Sequence, residues 1–175
     1  MKSFWIFFLI FFNSIVSFSQ ILTEEETKLF NLIMEYRKER GLSSIPVSRS
    51  LTYVAQTHAR DLEENSPDQG KCNMHSWSSN GPWTACCYTK DHAKASCMWD
   101  KPRELTTYTG NGYEIAFWTS GTANAKEALD SWKISPGHNE VIISSGMWKR
   151  SPWQAIGIGI CGGYSVVWFG KDVDK

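Results

Sequence analysis

Past its first dozen residues the chain has no apolar run of the ~18 residues a membrane-spanning helix needs, so a helical membrane protein is excluded for everything after the leader. It has no block of like charge either. Lysine and arginine number 18 and aspartate and glutamate 18. That balance gives no basic face for nucleic acid and no field to steer it onto an anionic membrane. Reaction motifs are also missing: there is no HExxH helix, no GxSxG elbow, and no pair of CxxC elements to build a zinc knuckle. Histidine is scarce, with only His58, His75, His92 and His138.

Aromatics and cysteines are present instead. Nine tryptophans in 175 residues read chiefly as core and loop anchors, with a carbohydrate or lipid groove as the sharper alternative. Lys2 followed by the apolar run Phe4 to Phe12, with Ser17 and Ser19 at small-residue positions, reads as a secretory signal peptide over residues 1–19, cut after Ser19. The mature chain, residues 20–175, is then expected to be one soluble, exported domain, periplasmic or extracellular. In such a compartment Cys72, Cys86, Cys87, Cys97 and Cys161 imply disulfides, with at least one thiol left over. The first four staple an irregular loop. Their pairing is open, except that a Cys86–Cys87 bridge is disfavoured by backbone geometry.

Local patterns place the elements. Thr23 and Glu26 form a capping box for a helix whose apolar face is Leu29, Leu32, Ile33 and Tyr36, stopped at Gly41. Ser48 or Ser50 caps a second helix with the stripe Leu51, Val54, Ala55, Ala59 and Leu62. His58 lies on that stripe and reads as a core histidine with one satisfied nitrogen. Thr122 is expected to cap a third helix, carrying Ala125, Ala128, Leu129 and Trp132. Between them, residues 66–112 are irregular, and His92 there reads as exposed. At the C-terminal end, Ile156, Ile158 and Ile160 alternate with Gly157 and Gly159. The Gly162-Gly163 turn and the strand Tyr164 to Phe169 complete a hairpin. Glycine at every second position leaves one strand face bare for a closely packed neighbour.

Trp132, then Ser135-Pro136-Gly137-His138-Asn139, then Gly157-Ile158-Gly159 before an aromatic strand, in that order, resemble the CAP superfamily: the cysteine-rich secretory protein, antigen 5 and pathogenesis-related 1 group. The SPGH element is similar to that of its bacterial branch. The resemblance runs from about Leu22 to Phe169 and implies an α+β fold, an α-β-α sandwich with a small, mainly antiparallel sheet. Residues 81–107 have no counterpart in the family pattern and read as a Cys-rich insertion.

The resemblance also implies a cavity. His75 stands where relatives carry a first cavity histidine, His138 in the SPGH element, and Glu114 where the family has the glutamate of a Gly-Glu-Asn element, although Tyr113 and Ile115 replace its flanks. Ser135 replaces a second glutamate. Glu140 can substitute only if its segment is a regular strand that turns it to the side of His138. The expected ligand-binding set is therefore His75, Glu114, His138 and Glu140. His75, His138 and Glu114 are the expected ligands of a weakly held divalent metal such as zinc. The resemblance implies a binding or interaction protein for a lipid or sterol, a metal, or an extracellular protein. The alternative is a hydrolase in which His75, Glu114 and His138 activate water.

Overall fold

In a computed structural model, which describes residues 21–150 and 152–175, the first helix, α1 (Glu24–Glu39), starts at the expected capping box. The Thr23 side chain accepts from the Glu26 amide at 3.3 Å and the Glu26 carboxylate accepts from the Thr23 amide at 2.8 Å. The buried Glu26 also accepts from the Ile160 amide at 3.1 Å, which ties the helix start to the sheet edge. Helix α2 (Arg49–Asn65) is capped by Ser48, and its whole predicted stripe is buried. The proposed leader and its cleavage site lie outside the described residues.

Residues 81–107 are more ordered than their composition suggests. They contain two short helices, α3 (Ala95–Trp99) and α4 (Lys101–Leu105), and two disulfides cross the region: Cys72–Cys87 and Cys86–Cys97. The adjacent cysteines thus face different partners, and Cys161 is free. Buried Lys101 pins the segment from within, its ammonium donating to the Thr84 carbonyl and the Glu104 carboxylate, both at 2.5 Å.

Strand β1 (Gly112–Trp118) follows, then α5 (Ala125–Ile134), α6 (Pro136–Ile142), β2 (Ala155–Cys161) and β3 (Tyr164–Gly170). The sheet order is β1-β3-β2, every pair antiparallel, with an isolated parallel bridge from Val47 to Ile156 at the outer edge. Two local expectations are corrected. Asn124, not Thr122, caps α5, because its side chain is the one that reaches the Glu127 amide, at 3.0 Å. The segment of Glu140 is not the regular strand that residue would need but a helix, with proline in the first turn of α6, where its missing N–H costs no hydrogen bond.

Strand alternation divides the core into two layers. Ile115, Ile156, Ile158, Val167 and Phe169 pack with α1 and α5 on one side; Ala116, Val166 and Trp168 pack with α2 on the other. Gly157 and Gly159 point at α2. A Cβ on Gly157 would lie 2.0 Å from the Leu51 carbonyl carbon, and one on Gly159 2.3 Å from that of Ala55. The bare strand face therefore lets α2 rest directly on β2, which seats His58 over the sheet. In the hairpin turn only Gly162 takes a positive φ, 51°, rather than both glycines.

Candidate functional site

Glu114 emerges from the α2 side of β1, paired in register with Trp168, and its carboxylate is wholly buried. Burying a carboxylate is costly unless both oxygens are partnered. Here histidines partner both. His58 Nδ1 meets Oε2, and His75 Nδ1 donates to Oε1 at 2.7 Å.

The contact partners of His58 identify its protons. Its Nε2 lies 2.9 Å from the Ser76 carbonyl oxygen, which can only accept, so Nε2 carries a hydrogen. A further proton then bridges Nδ1 and Glu114. Burial raises the Glu114 carboxyl, yet His58 and then His75 outweigh burial and leave it below its ordinary value of 4.5. The two histidine partners therefore favour the carboxylate form of Glu114. Trp77 stacks on the His58 ring at 4.2 Å between centroids, nearly parallel, and holds the ring in the plane that Glu114 requires.

His58 is the residue that sequence reasoning missed. It sits on the apolar stripe as expected and is fully buried, but both nitrogens are satisfied and one of them by the glutamate of the candidate site. His75 is partly exposed. With Nδ1 committed to Glu114, its Nε2 is the nitrogen left for a ligand, water or proton.

His138 reaches the same neighbourhood from α6. Two contacts set this helix in place: the Tyr36 hydroxyl donates to Asn139 Oδ1 at 2.9 Å and buried Arg37 donates to the Ile142 carbonyl at 2.6 Å, while the Trp132 indole donates to the Ala116 carbonyl at 3.0 Å and locks the preceding α5 to β1. Burial, and secondly the charge of His75, hold the His138 imidazole below its ordinary 6.5. It borders a cleft of about 340 Å³ with Ser131, Ser135, Met74, Phe117 and Trp118 on its walls. Asp68, which no sequence motif marked, lines it too.

Glu140 does not join the set. Because the segment is a helix, residues two apart face nearly opposite directions, and the Glu140 carboxylate lies against the Gly146 turn, 2.3 Å from where a Cβ there would stand. The expected three-ligand metal set does not fit either. Glu114 has both oxygens on histidines, and among the described residues no group of three or more His, Cys, Asp or Glu side chains is placed to hold a metal ion. His92 is exposed and donates or accepts only locally, its Nδ1 2.8 Å from the Tyr88 hydroxyl. Ser76, next to His75 in sequence, turns away. Its hydroxyl accepts from the Tyr88 amide at 2.9 Å.

Comparison with known proteins bears on this arrangement. No curated protein matches the chain. Among solved structures, an outer surface protein of Borrelia burgdorferi superposes with a TM-score of 0.57 at 20% identity, over 88% of this chain and 96% of that one. A cysteine-rich secretory protein of Staphylococcus aureus gives 0.54 at 15% identity, over 85% of this chain but 38% of that one. An extracellular protein containing a SCP domain from Bacillus anthracis gives 0.56 at 15% identity, over 86% and 40%. These likenesses establish the shared fold. The family model of the cysteine-rich secretory proteins, CAP, matches residues 30–169, which takes in most of α1, the stapled segment, Glu114, His138 and the hairpin, and the chain belongs to that family.

Proposed function

We propose that this is an exported binding module whose cleft beside His138 takes a small amphipathic ligand. The observation that carries the reading is the make-up of the cleft: Met74, Phe117 and a Trp118 that is 53% exposed offer apolar and aromatic surface, while Ser131, Ser135 and His138 offer polar groups at the same opening. Apolar walls with a few convergent polar groups are the usual form of a small-molecule site. Among the described residues no hydroxyl or thiol hydrogen-bonds His75 or His138, so no activated side-chain nucleophile supports covalent catalysis.

The neutral fluorescent probe N-phenyl-1-naphthylamine tests the reading. It should bind with enhanced emission, and Ser135→Trp, which fills the cleft, should abolish the enhancement. Equal enhancement in both proteins would sink the reading.

A second reading rests on the His75–Glu114 bond, which fixes the tautomer of His75 and leaves Nε2 free to take a proton from water. This is the hydrolase alternative. Peptide or ester cleavage that is present in the parent and lost in both His75→Ala and Glu114→Gln would favour it. A divalent cation such as zinc on His75 and His138 alone is the form left to the metal expectation, with Glu114 orienting His75 from behind as carboxylates do at histidine metal ligands.

A further inference from the structure

A second concavity, of about 740 Å³, opens between the chain leaving α1 and the segment that leads into β2, and it shares no lining residue with the cleft beside His138. Its charged lining is all of one sign. Arg37, Lys149 and Arg150 border it together with Ser43, Ser44 and Ser144, and no aspartate or glutamate does. Lys149 and Arg150 are exposed and Arg37 is buried, and among the described residues none of the three is ion-paired with a carboxylate. Residues 1–20 and Ser151 contain no acidic side chain. At Arg37 neutral dipoles stand where a counter-ion would: the guanidinium donates twice to the Ser43 carbonyl, once to the Ile142 carbonyl and once to the Ser144 hydroxyl. Its hydrogen bonding is thus nearly complete while its charge is not neutralised. Burial draws the guanidinium below its ordinary pKa, but arginine stays cationic in a protein. Of the acids nearby, Glu140 is turned to the Gly146 turn, and Glu35 shares a neighbouring hollow with Lys38, which offsets it.

We infer that this concavity is a second binding site, for the phosphate monoester group of a small soluble molecule, held by exposed Lys149 and Arg150 and stabilised through space by buried Arg37. A buried charge without a counter-charge is unfavourable, and an oxyanion in the adjoining hollow offsets it without having to touch the guanidinium. Contact falls to the exposed pair. Ammonium and guanidinium both donate charge-assisted hydrogen bonds to phosphate oxygens, and the exposed Ser43 and Ser44 add hydroxyl donors at the same opening. Three cations with no acid among them favour a dianion over a monoanion. The volume lies in the small-molecule range and leaves room for the body of the ester beyond its phosphate.

Calorimetric titration with glucose 6-phosphate, glucose 6-sulfate and glucose tests this, at low ionic strength where screening is weak and at a pH of about 8 where the phosphate monoester is a dianion. Glucose 6-phosphate should bind at one site, about tenfold more tightly than the singly charged sulfate, and glucose should not bind. Lys149→Ala with Arg150→Ala should weaken the phosphate at least about tenfold. Lys90→Ala with Lys94→Ala removes the same charge from exposed lysines that do not line the concavity, and should leave binding within about threefold. In the parent, glucose 6-phosphate should shift backbone amide resonances within residues 42–46 and 144–154. No saturable binding, sulfate binding as tightly as phosphate, equal weakening by the two variant pairs, or shifts centred on His138 would each overturn the inference. So would flotation of the protein with vesicles containing phosphatidic acid that is lost in the Lys149 and Arg150 variant, since the group would then belong to a lipid. The reading of the cleft beside His138 stands or falls separately, on N-phenyl-1-naphthylamine.

Discussion

His58 and Glu114, 56 residues apart in sequence, meet with both side chains fully buried, and the Ser76 carbonyl on the far side of the ring requires the imidazole to hold its proton toward Nε2. A neutral amide can reproduce much of this. In Glu114→Gln the carbonyl still accepts from His75 and the amide donates to an unprotonated His58 Nδ1, so the loss should be about 1 kcal/mol. Glu114→Leu leaves both imidazoles without their partner and should cost about 3–5 kcal/mol. Urea unfolding at pH 7 measures both. Equal losses would show that the proton is not placed as described.

The contact of α2 with the sheet makes Gly157 and Gly159 intolerant of any side chain. Gly157→Ala puts a methyl within 2.0 Å of helix backbone, which cannot swing aside as a flexible side chain can. The expected destabilisation is about 3 kcal/mol, at or above the upper end of ordinary overpacking. Gly121→Ala, where nothing lies within 4 Å of the added carbon, should change thermal stability negligibly and serves as the control.

Acid should act in two stages. The folded His138 imidazole lies below its ordinary 6.5, so the unfolded chain takes up that proton first. The stability owed to neutral His138 is complete above about 6.5 and declines as pH falls from there toward its folded value. Glu114 is held below 4.5, so its contribution is complete above that pH and is lost as pH falls through its folded value. Urea midpoints taken from pH 7.5 to 3 should show both declines. His138→Gln should flatten the first and leave the second.

Two bridges and one thiol should be found chemically. Intact protein should lose about two hydrogens per bridge relative to the reduced chain, and alkylation without reduction should label Cys161 alone. Closing the 15-residue separation of Cys72 and Cys87 is worth roughly 3 kcal/mol in the chain-entropy account. Reduction should therefore raise hydrogen exchange between Cys72 and Cys97 before it affects α1 or α2. Simultaneous loosening of both helices would contradict this order.

The features legible in the chain are those whose causes lie within a few residues of one another. Thr23 caps α1 because Glu26 is three positions away, the α2 stripe follows from helical period, and the alternating glycines of β2 announce a close neighbour without naming it. The resemblance added which residues to watch, and Glu114, His75 and His138 do lie in one neighbourhood. Tertiary structure decided the rest. Whether Ser135-Pro136-Gly137-His138 turns or coils depends on Tyr36 and Arg37 of α1 holding Asn139 and Ile142, contacts more than 100 residues distant, and that outcome is what turns Glu140 away. The cysteine pairing depends on how the loop doubles back to set Trp77 against Cys86. His58 looked like core because an apolar stripe carries no record of what lies opposite it. Only the direct seating of α2 on a glycine-lined strand brings its imidazole to the glutamate of β1, and a buried carboxylate then makes that histidine part of the site rather than filling.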